Sequence, residues 1–243
     1  MHQATALIDR IYATGQVEAD DGTVHRAFPS GMPRHHTQVI ADVLRAEHLT
    51  RTLEVGFAYG LSALTICSVH EQRGEGQHIA IDPAQDESYA SIGRLNIERA
   101  ELSHRLRFIQ ARSDAALPEL RDEGVRLDFA LIDGRHLFDT ALVDFYSCDL
   151  LLDKGGVLML HDTWLPSQAQ LEAFIRTNRA YELMGRGDGS ISLLRKLRHD
   201  DRPWYVHRQF GLDRWSWRAW VRLQVARRLG IVSWPPPARG PVR

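Results

Sequence analysis

Short apolar runs alternate along this chain with stretches whose apolar residues recur three and four positions apart. The first pattern suits buried strands, the second helices packed by one face. Leu7, Ile8, Ile11 and Tyr12 predict a helix over 4–13, and Val39, Ile40, Val43 and Leu44 another over 36–47. Between them, 15–34 is polar and broken by Gly22, Pro29, Gly31 and Pro33, which predicts a loop or ordered arm. Apolar runs predict strands at 52–55, 78–81, 106–109, 127–132 and 157–160, then shorter ones at 181–184 and 190–194. Helices are expected from Leu61 onward with Leu61, Leu64, Thr65 and Val69 facing the sheet, and over 89–102, 115–120, 137–152 and 168–178. The fourth of these places Phe138, Ala141, Leu142, Phe145 and Cys148 on one face, and Gly155-Gly156 turns the chain into the next strand. Such alternation predicts an α/β fold with a doubly wound, mostly parallel sheet. Three parts follow: a helical cap and loop over 1–47, a ligand-binding domain over 48–196 and an extension over 197–243.

Ligands of open parallel sheets bind beyond the carboxyl ends of the strands. Here those ends are polar or glycine-rich: Glu54 to Gly60, Asp82, Ser113-Asp114, Asp133 to His136, and His161-Asp162. The stretch Leu53-Glu-Val-Gly-Phe-Ala-Tyr-Gly60 reads as strand, glycine turn and helix start, where backbone amides can meet a ligand. A dinucleotide fingerprint would need Gly-x-Gly-x-x-Gly. Position 58 is alanine, no third glycine follows, and Glu54 would repel a pyrophosphate. A cationic ligand with an amino-acid tail fits better, its ammonium on a carboxylate and its carboxylate on turn amides. Asp82 suits two ribose hydroxyls, and Ser113-Asp114 lie where an adenine edge would fall.

At these residues the chain resembles the class I S-adenosylmethionine-dependent methyltransferases. The resemblance rests on Leu-Glu-Val-Gly-Phe-Ala-Tyr-Gly, Ile-Ala-Ile-Asp-Pro, Ala-Arg-Ser-Asp-Ala-Ala-Leu, Leu-Ile-Asp-Gly-Arg-His and Gly-Gly-Val-Leu-Met-Leu-His-Asp-Thr, in that order over about 35–195. It implies a seven-stranded Rossmann-like methyltransferase sheet. The methionine part would lie against Glu54, Gly56, Phe57, Ala58, Tyr59, Gly60 and Ser62, the ribose on Asp82, and the adenine near Ser113 and Asp114, with Asp133 also at the donor.

Asp133-Gly-Arg-His136 with His161-Asp162 further resembles the metal-assisted small-molecule O-methyltransferases of the macrolide-sugar and catechol type. Asp133 and Asp162 end neighbouring strands and could converge on Mg²⁺ or another divalent cation. His161 stands where those families often place a carboxylate, so it either joins the metal, favouring a softer ion, or caps its strand by hydrogen bonding. The resemblance implies His136 as the base, acting with Asp133. The alternative is a histidine that only hydrogen bonds at a helix start. Histidine suits a base near neutral pH, and methyl transfer needs alignment more than leaving-group protonation.

Acceptor contacts are expected from Phe28, Met32, His35, His36 and Trp164; His35-His36 could be a ligand pair, but adjacent residues at a helix start do not face one direction, which favours surface or capping histidines. Cys67 and Cys148 form no Cys-x-x-Cys pair and read as buried thiols. With net charge −1, no apolar stretch of spanning length and no secretory pattern, the chain reads as soluble and cytoplasmic, without a nucleic-acid bias. From Arg198 onward, ten arginines face three aspartates, a net +7 that leaves −8 for the remainder. That tail holds Trp204, Trp215, Trp217, Trp220 and Trp234, with Arg214, Arg218 and Arg222 at four-residue spacing beside Val221 and Val225. Such a basic helix can lid its own acidic body, pair across a homo-oligomer through tail or cap, or lie on a membrane surface. The activity expected is methyl transfer to a hydroxyl of a small-molecule acceptor such as a natural product or sugar. Alternatives are a degenerate S-adenosylmethionine-binding scaffold, an N-methyltransferase without metal, and a nicotinamide oxidoreductase, the last disfavoured by the glycine spacing.

Overall fold

In a computed structural model, residues 2–203, 205–210, 221, 222, 224–226 and 228 are described. The tail tryptophans Trp204, Trp215, Trp217, Trp220 and Trp234, with Arg214, Arg218 and 234–243, lie outside the described residues, and with them the expectations for the basic tail. Among the described residues, no helix is long and apolar enough to cross a membrane.

Helix α1 (His2–Thr14) leads into a small antiparallel hairpin, β1 (Gln16–Glu18) and β2 (Val24–Arg26), and then α2 (Arg34–Ala46). The hairpin corrects the expected irregular arm. Its three-residue strands are too short for a period-two signal to show. The main sheet is built from β3 (Arg51–Val55), β4 (Gln77–Ile81), β5 (Leu106–Ile109), β6 (Leu127–Ile132), β7 (Leu152–His161), β8 (Tyr181–Arg186) and β9 (Ile191–Lys196). Their order is β5-β4-β3-β6-β7-β9-β8, with the first five parallel and β9 antiparallel to both β7 and β8. The doubly wound, seven-stranded expectation therefore holds. Strand order reverses direction between β3 and β6, which opens a crevice at their carboxyl ends.

Helices α3 (Leu61–Arg73), α4 (Gln85–Tyr89), α5 (Ile92–Arg99), α6 (Ser113–Asp122), α7 (Phe138–Leu151) and α8 (Pro166–Asn178) cover the sheet. Three expectations need correction. The helix expected over 89–102 is two helices, because Ala90 and Ser91 both take left-handed backbone and break it. Gly155-Gly156 do not precede the strand but lie within β7, where a register shift against β6 absorbs them. Finally, α3 is not a one-faced helix. Leu61, Ala63, Leu64 and Cys67 pack with α1 and the β1 segment, while Ile66 and Val69 pack with α2 and the sheet. Being buried on two flanks, it lacks the polar stripe of a surface helix. By contrast, α7 packs as expected, with Ala141, Phe145 and Cys148 buried and Phe138 and Leu142 against the same core. Cys67 and Cys148 are buried free thiols, and burial pushes both thiol pKa values up.

The N-terminal segment shares its core with the sheet domain: Ala4, Leu7, Ile11, Val17, Ala19 and Ala27 meet Phe57, Tyr59 and Leu61. Residues 29–33 and the start of α2 then reach the cavity at the carboxyl ends of the strands.

Candidate active site

The glycine turn is set by chain packing. Gly56 has φ +92°, and a Cβ there would come 2.2 Å from the carbonyl oxygen of Asp133, so only glycine lets β3 and β6 end side by side. The Asp82 carboxylate holds the turn from the other side. Its Oδ2 accepts from the amides of Phe57 and Ala58 at 3.0 Å each, and its Oδ1 from the amide of Ala84 at 2.7 Å. Asp82 therefore lines the cavity with three of its four lone-pair sites already used.

Above these strand ends lies a cavity of about 860 Å³. It is lined by Gly56, Phe57, Ala58, Ser62, Asp82, Ser113, Asp114, Asp133, His136, His161 and Asp162, all singled out from the sequence. Met32, His35, His36 and Trp164, expected on the acceptor side, line it too. Glu54, Tyr59, Gly60 and Phe28 do not. Glu54 is fully buried beneath the turn, with His78 Nε2 3.4 Å from its Oε1 and no hydrogen bond on either oxygen. Burial raises its pKa, against the pull of His78. Tyr59 stacks edge-on against Tyr89, and Phe28 stacks on Tyr12.

The acceptor-side wall is a network of imidazoles and carboxylates. His136 Nε2 lies 3.2 Å from Asp162 Oδ2 and 3.8 Å from Asp133 Oδ1. His161 Nδ1 lies 2.8 Å from Asp133 Oδ1, and its Nε2 lies 2.9 Å from Nδ1 of His36. Burial alone would lower the pKa of His161, but the Asp133 carboxylate, helped by Asp162 and Asp188, outweighs it and raises the value to about 9. The ring is thus an imidazolium at neutral pH, fixed between Asp133 and His36. Burial would raise the pKa of Asp162, yet His136 and His161 bring it down to about 2. Asp162 also accepts from Trp164 Nε1 at 2.8 Å and sits at φ +53°. Left-handed backbone at a non-glycine strand end is costly, and it is what turns this carboxylate into the cavity.

One ligand atom each from Asp133, His136 and Asp162 falls within a 4.8 Å group, a set that could hold a cation. His161, the other expected ligand, has both nitrogens facing protein partners and stands behind Asp133. Residues not singled out from the sequence are Asp188, in the turn between β8 and β9, and Asp144 on α7, both lining the cavity. Burial raises Asp144 to about 6, with Ser113 pulling the other way. Asp188-Gly189-Ser190 carries a turn signal, but nothing local marks it as facing His36 across the fold.

Residues 53–163 match a family model described as "Methyltransferase domain". No curated protein sequence matches the chain. Among solved structures, it is similar to a putative caffeoyl-CoA O-methyltransferase from Staphylococcus aureus, with 15% identity, TM-score 0.59, and coverage of 79% of this chain and 91% of that one. An O-methyltransferase from Bacillus cereus in complex with SAH is 16% identical, TM-score 0.59, over 81% of this chain and 91% of that one. The O-methyltransferase TomG from Streptomyces achromogenes, involved in tomaymycin synthesis and bound to SAM, is 14% identical, TM-score 0.62, over 82% and 91%. At such identities the structures speak for the fold, and the domain match for the chemistry. Residues 53–163 thus match a methyltransferase domain, and the sheet around them has the fold of these O-methyltransferase structures.

Proposed function

We propose that the chain methylates a hydroxyl of a small molecule, with His136 as the base. The observation that carries this reading is the His136–Asp162 pair, 3.2 Å apart on the wall of the same cavity that holds the glycine turn. The names of similar structures as O-methyltransferases favour oxygen over nitrogen as the acceptor atom. A cavity of about 860 Å³ is large enough for a nucleoside donor with a small acceptor beside it.

S-adenosylmethionine supplies an electrophilic sulfonium methyl whose leaving group needs no proton. The turn residues Gly56 to Ala58 with Ser62 would hold its methionine end. The one free lone-pair site of Asp82 would meet the ribose, and Ser113 and Asp114 the adenine. Asp114 is partly committed, because its carboxylate accepts from Arg112 at 2.7 and 2.9 Å. Glu54 lies too deep for the direct ammonium contact expected of it, so that role passes to groups on the cavity surface. His136 Nε2 takes the acceptor's hydroxyl proton, and the anionic Asp162 beside it stabilises the imidazolium that forms. A divalent ion held by Asp133, His136 and Asp162 would instead supply Lewis-acid activation of the hydroxyl, with His136 then a ligand and not the base. One imidazole among three ligands makes that set softer than an all-carboxylate one.

The test is turnover with labelled S-adenosylmethionine over a panel of catechols, phenols and sugars, with calorimetry of donor binding. His136→Ala should lower kcat by about 10²- to 10⁴-fold while donor affinity holds. Unchanged turnover in His136→Ala would remove the base. Donor binding without turnover on any acceptor would favour the scaffold reading.

A further inference from the structure

At the mouth of the cavity, two consecutive histidines at the start of α2 turn towards one carboxylate of the β8–β9 turn. His35 Nε2 lies 2.9 Å from Asp188 Oδ2, and His36 Nε2 lies 3.1 Å from Asp188 Oδ1. Successive helical side chains ordinarily point about 100° apart, yet these rings meet edge-on with centroids 4.1 Å apart. One ligand atom from each of the three residues lies within a 4.8 Å group. His35 is largely exposed, so packing does not force its ring inward.

We propose that His35, His36 and Asp188 form a second metal site, for a divalent transition ion of the zinc type, on the acceptor side of the cavity. Three further observations support it. Two imidazoles and one carboxylate are a donor set for zinc, cobalt, nickel or iron rather than for Mg²⁺ or Ca²⁺. The far nitrogen of His36 meets His161 Nε2 at 2.9 Å, which fixes the ring; a metal on Nε2 of His36 would displace its proton, and Nδ1 would take over the proton shared with His161, leaving His161 neutral. Asp188 is itself oriented by the amide of Ser190, which donates to its Oδ1 at 3.0 Å.

All three residues line the cavity, so a three-ligand ion there keeps positions open towards it, as catalytic rather than structural zinc sites do. The ion would tie the start of α2 to the β8–β9 turn beside the cavity. It would offer an acceptor oxygen a ligand position. His161 stands between this site and Asp133, so both sites share one outer partner. The inference is independent of which acceptor is methylated and of the role given to His136.

Tag-free chain freed of metal by chelator is titrated with Co²⁺, read by visible absorption and calorimetry, with Zn²⁺ as competitor. One tight equivalent that depends on His35 and Asp188 is expected, displaced by Zn²⁺ and not by Mg²⁺, and separable by Asp162→Asn from any ion bound at Asp133, His136 and Asp162. His35→Ala and Asp188→Asn should each weaken it by at least about tenfold, while Asp162→Asn leaves it within about twofold. Circular dichroism checks folding; His35→Ala removes an exposed side chain and should melt as the parent does. No Co²⁺ binding at millimolar metal, binding that survives His35→Ala, or binding that falls equally in Asp162→Asn would each overturn the site.

Discussion

Two groups of buried histidine and carboxylate lie in the same sheet and behave oppositely. Under the donor turn, Thr52 Oγ1 sits between His70 Nε2 at 3.0 Å and His78 Nδ1 at 2.9 Å, with Glu54 beyond His78. Burial drives His70 down to about 3 and raises Glu54. On the acceptor wall, His161 is driven up to about 9. Burial acts in the same direction on both histidines. The difference is company: His70 has a second histidine and two arginines in its field, whereas His161 faces Asp133, Asp162 and Asp188. Where opposite charge is scarce burial disfavours the charged form, and where it is abundant the charge is kept. The group with neutral His70 supports the floor of the turn. The charged one lines a cavity open to ligand.

The sharpest way to break this contrast is Asp133→Asn. It removes the main partner of His161, leaves a buried imidazole without its counter-charge, and deletes a proposed ligand and catalytic partner. Turnover should fall by at least about 10²-fold. The pKa of His161, followed by NMR, should drop below its ordinary value. A His161 still protonated at pH 8 in that variant would show that Asp133 is not what holds its charge.

The pH dependence of stability comes next, measured in chelator. His161 has a folded pKa near 9, above its unfolded value near 6.5. Its contribution is complete below pH 6.5 and is lost as pH rises towards 9, on the order of 3 kcal/mol at most. His70 has the opposite sign. Its folded pKa near 3 lies below the unfolded value. The unfolded chain binds its proton first, so stability falls as pH drops from 6.5 towards 3. Together they predict a maximum near pH 6.5. His70→Gln should flatten the acid limb and leave the alkaline one, as read by urea denaturation across pH. A flat alkaline limb in the parent would contradict the charged state of His161.

The smallest effect sharpens the donor-side half. Glu54→Gln keeps shape and removes a buried carboxylate with no hydrogen bond, so stability at pH 7 should rise by about 1 kcal/mol. A loss of that size in thermal melts would mean that Glu54 is ionised and properly paired.

Much of the fold could be read from the chain. Five strand ends, the glycine turn and the α7 face follow from local patterning, because period and turn chemistry act within a few residues. What could not be read has a common reason as well. The break at Ala90-Ser91 and the shift at Gly155 are backbone decisions made by packing, and the burial of α3 on both flanks depends on what α1 and α2 do elsewhere. In the site, the chain named Asp133, His136, His161 and Asp162 as a set. Their division of labour was hidden, since it depends on which nitrogen meets which oxygen.

By itself the sequence determined that polar groups gather at the carboxyl ends of a doubly wound sheet, and which residue types they are. Only the tertiary structure decided that Glu54 lies beneath the site rather than in it, and that Asp82 grips the turn through two of its backbone amides. Only it brought His36 and Asp188, 152 positions apart, to one carboxylate contact. Local pattern encodes which strand end a residue occupies. Charge state and ligation depend on groups that only folding brings within a few ångströms.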